Sequence, residues 1–414
     1  MHVILPVSVL NSAAYTIIGL GLVFYMRDRF AAGAAAIGLA SATFNALYFV
    51  GCFVLRPVGL RMVPRYSLVI SSAVTVVLLS LLLAANTIPA VVLLYGAVGF
   101  TLALFWPPIM GWLSAALHGR ELNSRISHFN LAWSAGVIVG PLAAGFLAQW
   151  RLESPLVVGT VLIAIVGAAV LLASIFLSEI RADTHRDRRA AVGDALDASN
   201  PLRYPAWIGL VSSYVVLGAL MVIVPLRARD AIGLAEGQVG ILLLSRGLAA
   251  AIGFWALGFW AGWHGRSFHV VAAQLALFPL LIALSGAGSL ATYAIVLPLI
   301  GLAVAASYTF SVYYGVEGAS DRIRRMAIHE ALLTVGSVCG ALMGGHLYQT
   351  YGARTAYLSS MIVVGIAVAA QLVIVRVGPD RPTAIPARSR LPFRPGSSRR
   401  RGRGIRRSGR RPPN

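Results

Sequence analysis

Long apolar stretches dominate this sequence, and short clusters rich in arginine, proline and glycine separate them. A bilayer core about 30 Å thick needs roughly 20 mostly apolar residues to cross it as a helix. The chain contains twelve such runs, and we predict a transmembrane helix for each: 4–25, 34–55, 67–85, 89–114, 128–149, 155–178, 205–226, 238–262, 268–286, 289–316, 327–349 and 355–376. The first run is a full span without a basic leader, which predicts a retained helix rather than a cleaved signal peptide.

The composition favours a membrane protein over a water-soluble globule. Hydrophobic residues make up 58% of the chain and charged residues 12%, whereas soluble proteins carry about 25% charged residues. The only cysteines, Cys52 and Cys339, lie in apolar runs, which excludes a disulfide framework. No nucleophile–base set, phosphate-cradling loop or metal-ligand spacing occurs in the sequence, so we predict no enzymatic activity, no cofactor and no metal site.

The placement of arginine predicts the orientation. With the N-terminus inside, the cytoplasmic connections hold 14 arginines and the outer connections hold six. Cytoplasmic connections carry the excess of positive charge in multi-spanning proteins. We therefore predict a multi-pass protein of the plasma (inner) membrane with both termini in the cytoplasm.

The net charge of +20 is concentrated at the C-terminus. Residues 377–414 contain 12 arginines and one aspartate, a net charge of +11, in a segment rich in proline and glycine that we predict to be disordered. Such a tail either contacts anionic lipids of the inner leaflet or has no function, and we expect no nucleic-acid partner. A second polar segment, 179–204, is the predicted cytoplasmic loop between bundles at 1–178 and 205–376.

An internal repeat relates the two bundles. Glycines around the fifth span recur around the eleventh at an offset of 200 residues, and the fourth and tenth spans agree at an offset of 202. The repeated positions are Gly136 with Gly336, Gly140 with Gly340, Gly145 with Gly345, Gly99 with Gly301, and Trp106 with Tyr308. A shift of six spans preserves orientation, so the repeat predicts two parallel six-helix halves, an architecture found in transporters.

The fifth span resembles a known family motif. Gly136-x-x-x-Gly140-Pro141-x-x-x-Gly145 is similar to the antiporter motif of the major facilitator superfamily, in which close glycines let helices approach and proline permits bending. Simple close packing explains the same pattern. The resemblance covers about residues 1–376 and implies an all-α fold of 12 transmembrane helices, a central cavity lined by spans 1, 4, 7 and 10, and export. The loop after the second span departs from the family pattern, since Leu60 replaces an acid.

Charged residues inside spans are costly, so each is a functional candidate. Arg246 in the eighth span either binds an anionic group of the cargo or snorkels to the outer surface. Glu330 begins the eleventh span beside His329 and either pairs with a nearby arginine or closes an inner gate against Arg61 or Arg65. In the second half, Arg266 occupies the loop position that corresponds to the loop of Arg61 and Arg65 in the first half.

Neutral polar side chains on the spans that line the cavity by resemblance, and on the second span, are candidate binding groups: Asn11, Tyr15, Asn45, Trp106, Tyr214, Tyr308 and Tyr314. Hydroxyls, amides and aromatic rings suit a neutral or amphipathic organic solute, although the same residues also hold helices together. Spans 1, 4, 7 and 10 contain no acid, which disfavours a cationic-drug site there.

The sequence thus predicts a secondary transporter that moves a small organic solute by alternating access. Efflux, with the proton as a possible coupling ion, is the first expectation. Uptake or facilitated transport of a neutral or anionic solute is the alternative, and a non-transporting scaffold or receptor is an alternative of another class. We expect a monomer.

Overall fold

The computed structural model describes residues 3–109, 119–176, 199–319 and 322–377, and its regular elements are helices. The predicted loop 179–204 lies mostly outside these ranges, and the predicted tail lies outside them from residue 378 onward. The helices are α1 Ile4–Phe30, α2 Ala34–Val54, α3 Arg56–Arg61, α4 Pro64–Leu83, α5 Ile88–Leu102, α6 Gly119–Trp150, α7 Ser154–Phe176, α8 Arg203–Asp230, α9 Glu236–Phe259, α10 Ser267–Leu275, α11 Leu277–Ser285 and α12 Leu290–Val316.

The last helical segment, Arg322–Val377, contains two crossings. Its backbone breaks at Gly352, where φ is 82°, a left-handed conformation that glycine adopts without steric cost. We name its two arms α13 (322–351) and α14 (353–377). Within the described residues, eleven helices are long and apolar enough to span a membrane, and the last of them has 53 residues. This arrangement is consistent with the twelve predicted spans and confirms the all-α membrane fold.

Several helices differ in extent from the apolar runs. The predicted ninth span is divided into α10 and α11 at Ala276. Pro279 explains the break, because its ring lacks an N–H and collides with the carbonyl of Leu275, the last residue of α10. In contrast, α1 and α8 continue past their apolar runs to Phe30 and Asp230, which brings charged residues into their last turns.

The first two glycines of each repeat bring helices of the same half into backbone contact. Gly136 and Gly140 of α6 face α1, where a side chain at Gly140 would collide with Thr16. In the second half, Gly336 and Gly340 of α13 face α8, where a side chain at Gly340 would collide with the carbonyl of Val215. The first two glycines of the motif that resembles the antiporter sequence therefore pack the fifth span on the first, and their repeats pack the eleventh span on the seventh.

Candidate functional site

Ion pairs join the last turns of α1 and α8, which belong to different halves. Arg27 contacts Asp230 at 2.8 Å. Arg229 donates to both carboxylate oxygens of Asp28, at 2.7 and 2.6 Å, and its Nε lies 3.2 Å from Glu236. The two arginine–aspartate pairs are related by the pseudo-symmetry of the fold. They tie the halves together at one end of the molecule.

Close helix contacts reinforce the same end. In the α2–α13 pair, a side chain at Gly38 would collide with the carbonyl of Ala341, and the backbone N–H of Ala35 donates to Gln349 at 2.9 Å. In the α6–α9 pair, Gly145 contacts the carbonyl of Glu236. We call this end, where α1 finishes and α9 begins, the closed end. Backbones packed this closely leave no gap between the halves at this end.

These ion pairs were missed from the sequence, although a signal was present. Arg27-Asp28 recurs as Arg229-Asp230 at an offset of 202, the offset that also relates Gly99 to Gly301. The predicted helices ended before these residues, which were counted only as outer-loop charges. A charged dipeptide repeated at the same offset as the helices would have indicated a reciprocal contact between the halves.

Arg246 lies in the middle of α9. It is ten residues after Glu236, which places it about 15 Å from the closed end at a rise of 1.5 Å per residue. Its backbone is fixed by α12, because Gly301 packs directly on its carbonyl oxygen. The side chain is half-buried, and among the described residues its Nε has no hydrogen-bond partner. Arg246 therefore offers hydrogen-bond donors that the described residues do not use.

Glu330 lies within α13 rather than at its first residue. Because α13 begins at Arg322, Glu330 is two turns inside the helix, about 12 Å from its start. Its side chain is exposed and lies within electrostatic range of Tyr48, Tyr214 and Tyr308. Tyr214 is also within range of Arg246. We name Tyr48, Tyr214, Arg246, Tyr308 and Glu330 the central cluster.

His329, the neighbour of Glu330, points the other way into the helix packing. It is 1% exposed, and its Nδ1 lies 2.8 Å from the hydroxyl oxygen of Ser311 on α12. Its ring meets the ring of Tyr308 edge-on, with 4.7 Å between their centres. His329 thereby positions Tyr308 from behind, while Glu330 on the next residue faces open space.

The arginines of the predicted inner gate lie at the end of the molecule opposite the closed end. Arg61 is exposed on α3, Arg65 stacks over the ring of Tyr66 at 5.0 Å, and Arg266 is exposed before α10. The structure shows no ion pair between Glu330 and Arg61 within the described ranges. A gate made by these residues remains a prediction for another conformation.

The neutral candidates of the first half lie within the helix packing in this structure. The Tyr15 hydroxyl lies 3.3 Å from the Thr75 hydroxyl, and Asn45 donates to the Ser41 carbonyl at 2.8 Å. Asn11 is 1% exposed, and the ring of Trp106 packs edge-on against Phe129. The contacts of Tyr15 and Trp106 agree with the packing interpretation that the sequence left open, whereas Asn45 bonds within its own helix and the Asn11 side-chain nitrogen has no hydrogen-bond partner among the described residues.

The second half contains a buried polar network between α8, α10 and α12. Gln274, which is fully buried, accepts from Ser212 at 2.6 Å and donates to Ser213 at 3.0 Å and Ser307 at 2.7 Å. Tyr314 is also fully buried, and its hydroxyl donates to the Trp263 carbonyl at 3.0 Å. Among the tyrosines considered on α8 and α12, only Tyr214 and Tyr308 belong to the central cluster.

Comparison with known proteins identifies the family. The family model described as Major Facilitator Superfamily matches residues 4–320 and, in a second match, residues 206–410. The chain belongs to the major facilitator superfamily. Membership of this superfamily indicates a membrane transporter rather than an enzyme, and it confirms the family resemblance of the sequence.

Individual relatives of this major facilitator protein are distant. An uncharacterized MFS-type transporter of Mycobacterium tuberculosis (strain ATCC 25618 / H37Rv) is 28% identical over 115 residues, which is 28% of this chain and 26% of that protein. The same figures hold for a protein of the same description from strain CDC 1551 / Oshkosh. The matched region spans about a quarter of the length of these curated relatives.

Solved structures share the fold with this superfamily member. The nucleoside transporter NupG has a TM-score of 0.69 at 14% identity, over 92% of this chain and 100% of that one. A bacterial homologue of the human lysosomal transporter Spinster, in an inward-facing and unoccupied conformation, has a TM-score of 0.68 at 14% identity, over 90% and 96% of the two chains. At these identities the likeness concerns the fold alone.

Proposed function

We propose that this major facilitator protein is a secondary transporter that exports a small organic solute by alternating access. The observation that carries the proposal is the reciprocal pair of arginine–aspartate ion pairs at the closed end. It is combined with Arg246, midway along α9, whose Nε has no hydrogen-bond partner among the described residues. Ion pairs between partly exposed side chains are weak, typically 0–1 kcal/mol each. Such contacts can break and reform in every cycle, as alternating access requires.

The orientation of the cycle follows from the arginine distribution. With both termini in the cytoplasm of a plasma-membrane protein, the closed end is extracellular and the central cluster is approached from the cytoplasm. An exporter loads its cargo from that side. We propose that the proton is the coupling ion. We also propose that the carrier acts as a monomer surrounded by membrane lipids.

A transport experiment tests this function. A thermal-shift screen of the purified protein against organic solutes first identifies a stabilising ligand, because ligand binding to the folded state raises the melting temperature. We expect the labelled ligand to accumulate by counterflow in proteoliposomes that contain the protein and not in empty liposomes. A stabilising ligand that never exchanges would favour a scaffold or receptor instead.

The direction of transport needs a second measurement in loaded cells. A protonophore is expected to stop net efflux of the ligand if proton antiport drives export. Unchanged flux in the presence of the protonophore would favour facilitated flow, the alternative left open by the sequence.

A further inference from the structure

Two opposite charges, Arg246 on α9 and Glu330 on α13, lie within membrane-spanning helices and have no ionic partner among the described residues. The ion pairs defined for the described residues involve arginines and acids at the closed end, and neither Arg246 nor Glu330 is among them. A charge in the middle of a membrane-spanning segment costs about 2.5–3.5 kcal/mol on insertion scales. Arg246, midway along α9, bears this cost, and the exposed Glu330 lies near the same tyrosine, so we infer that the two charges serve a ligand.

The two charges are connected by aromatic side chains. Tyr214 is within electrostatic range of both Arg246 and Glu330. Both charged side chains therefore lie in the space around the Tyr214 phenol, and no ion pair joins them among the described residues. Tyr308 is held beside this space by Phe254, at 5.4 Å between ring centres, and by His329.

We propose that the central cluster binds an amino-acid-like zwitterion, with the carboxylate at Arg246 and the ammonium group at Glu330. The proposal rests on the proposed transport function and names its class of cargo. A guanidinium binds a carboxylate through two parallel hydrogen bonds. A cationic nitrogen near Glu330 also meets the faces of Tyr48, Tyr214 or Tyr308, which attract cations.

Charge balance explains why a zwitterion fits better than a solute with one charge. When the halves close around the cargo, water leaves and every unpaired charge loses its hydration. A simple anion would neutralise Arg246 and leave Glu330 alone, and a simple cation would do the reverse. A zwitterion pairs both groups and leaves no net charge to carry through the membrane.

The test is binding of matched ligands to the purified full-length protein. The proteinogenic L-amino acids and glycine betaine are screened by thermal shift, and labelled L-phenylalanine is then compared with 3-phenylpropanoate, which lacks the ammonium group, and with 2-phenylethylamine, which lacks the carboxylate. We expect at least one zwitterion to bind. If that zwitterion is not L-phenylalanine, the comparison uses it and its own analogues without the ammonium group and without the carboxylate. Each analogue is expected to bind at least about tenfold more weakly than the amino acid.

Two variants assign the ends of the ligand. The Arg246→Gln variant is expected to bind the amino acid no better than it binds 2-phenylethylamine. The Glu330→Gln variant is expected to bind the amino acid no better than it binds 3-phenylpropanoate. Arg246→Lys, which keeps the charge, should preserve the preference for the zwitterion and serves if Arg246→Gln does not fold. Arg354→Gln, an exposed arginine at the start of α14, should bind all three ligands as the wild type does.

Other outcomes would overturn the proposal. Equal binding of 3-phenylpropanoate and the amino acid to the wild type would leave Arg246 as a simple anion site. If no zwitterion binds while another solute exchanges in proteoliposomes, the cargo class is wrong and the transport function stands. If no solute exchanges at all, the transport function itself is wrong.

Discussion

Arg229→Asp is expected to open the closed end and to move the carrier toward its outward-facing conformation. The substitution removes the contacts of Arg229 with Asp28 and Glu236 and places a third negative charge beside them. The Arg229 and Asp28 side chains are 26% and 32% exposed, so water screens the pair only in part. We expect a shift of about 1–2 kcal/mol, or about 5- to 30-fold in the ratio of the two conformations.

The native Cys52 reports this shift. It lies near the end of α2 opposite the closed end, within electrostatic range of Glu330, and is partly exposed. In a Cys339→Ser background, an impermeant maleimide applied to inside-out vesicles should alkylate Cys52 more slowly in Arg229→Asp than in the parent. Arg354→Asp, at an exposed arginine on the same side, is the matched control and should leave the rate unchanged.

Reversing the pair is a stringent control for the same prediction. Asp28→Arg combined with Arg229→Asp restores an ion pair with its charges exchanged, and it should return the alkylation rate most of the way to that of the parent. If the double variant reacts like Arg229→Asp alone, the Asp28–Arg229 contact does not hold the closed end.

Covalent closure of the same end is expected to abolish transport. Arg27 and Asp230 contact each other across the halves, and their side chains are 39% and 30% exposed, so aqueous reagents reach them. With cysteines at both positions, in a chain with Cys52 and Cys339 replaced by serine, a short bismaleimide should join α1 to α8. Ligand counterflow should then fall to the level of empty liposomes, because the outward-facing conformation is no longer accessible.

Each single-cysteine variant treated with the same reagent is the control, since it carries the modification without the bridge. Transport by the single variants should continue. Cross-linked protein that exchanges ligand at the uncross-linked rate would show that the closed end does not need to open.

The spans were predictable because hydropathy depends only on the local sequence. Apolar runs of about 20 residues have one stable arrangement in lipid, a helix that satisfies its own backbone. The ends were less predictable: Asp28 and Asp230 terminate the apolar pattern, but the helices continue because ion pairs across the halves stabilise the charged last turns. Those pairs depend on tertiary structure that hydropathy does not contain.

The site was predictable only in part for the same reason. The sequence offered Tyr214 as a candidate on the seventh span, but it could not show that Gln274 on α10 would bind the neighbouring Ser213 and leave Tyr214 to the central cluster. Glu330 was placed at an exposed helix end because Arg322, Arg324 and Arg325 interrupt the apolar run, whereas α13 begins at Arg322. Arginine is a good helix former, so the helix continues through these charges.

Distances between spin labels at the two ends test alternating access most directly. Labels at Arg29 and Ala231 report the closed end, and labels at Arg61 and Arg266 report the opposite end; all four positions are exposed. We predict that pulsed electron resonance in lipid nanodiscs will show the first distance lengthening and the second shortening when Arg229→Asp is introduced. If both distances change in the same direction, or if neither changes, the two halves do not rock about a central site.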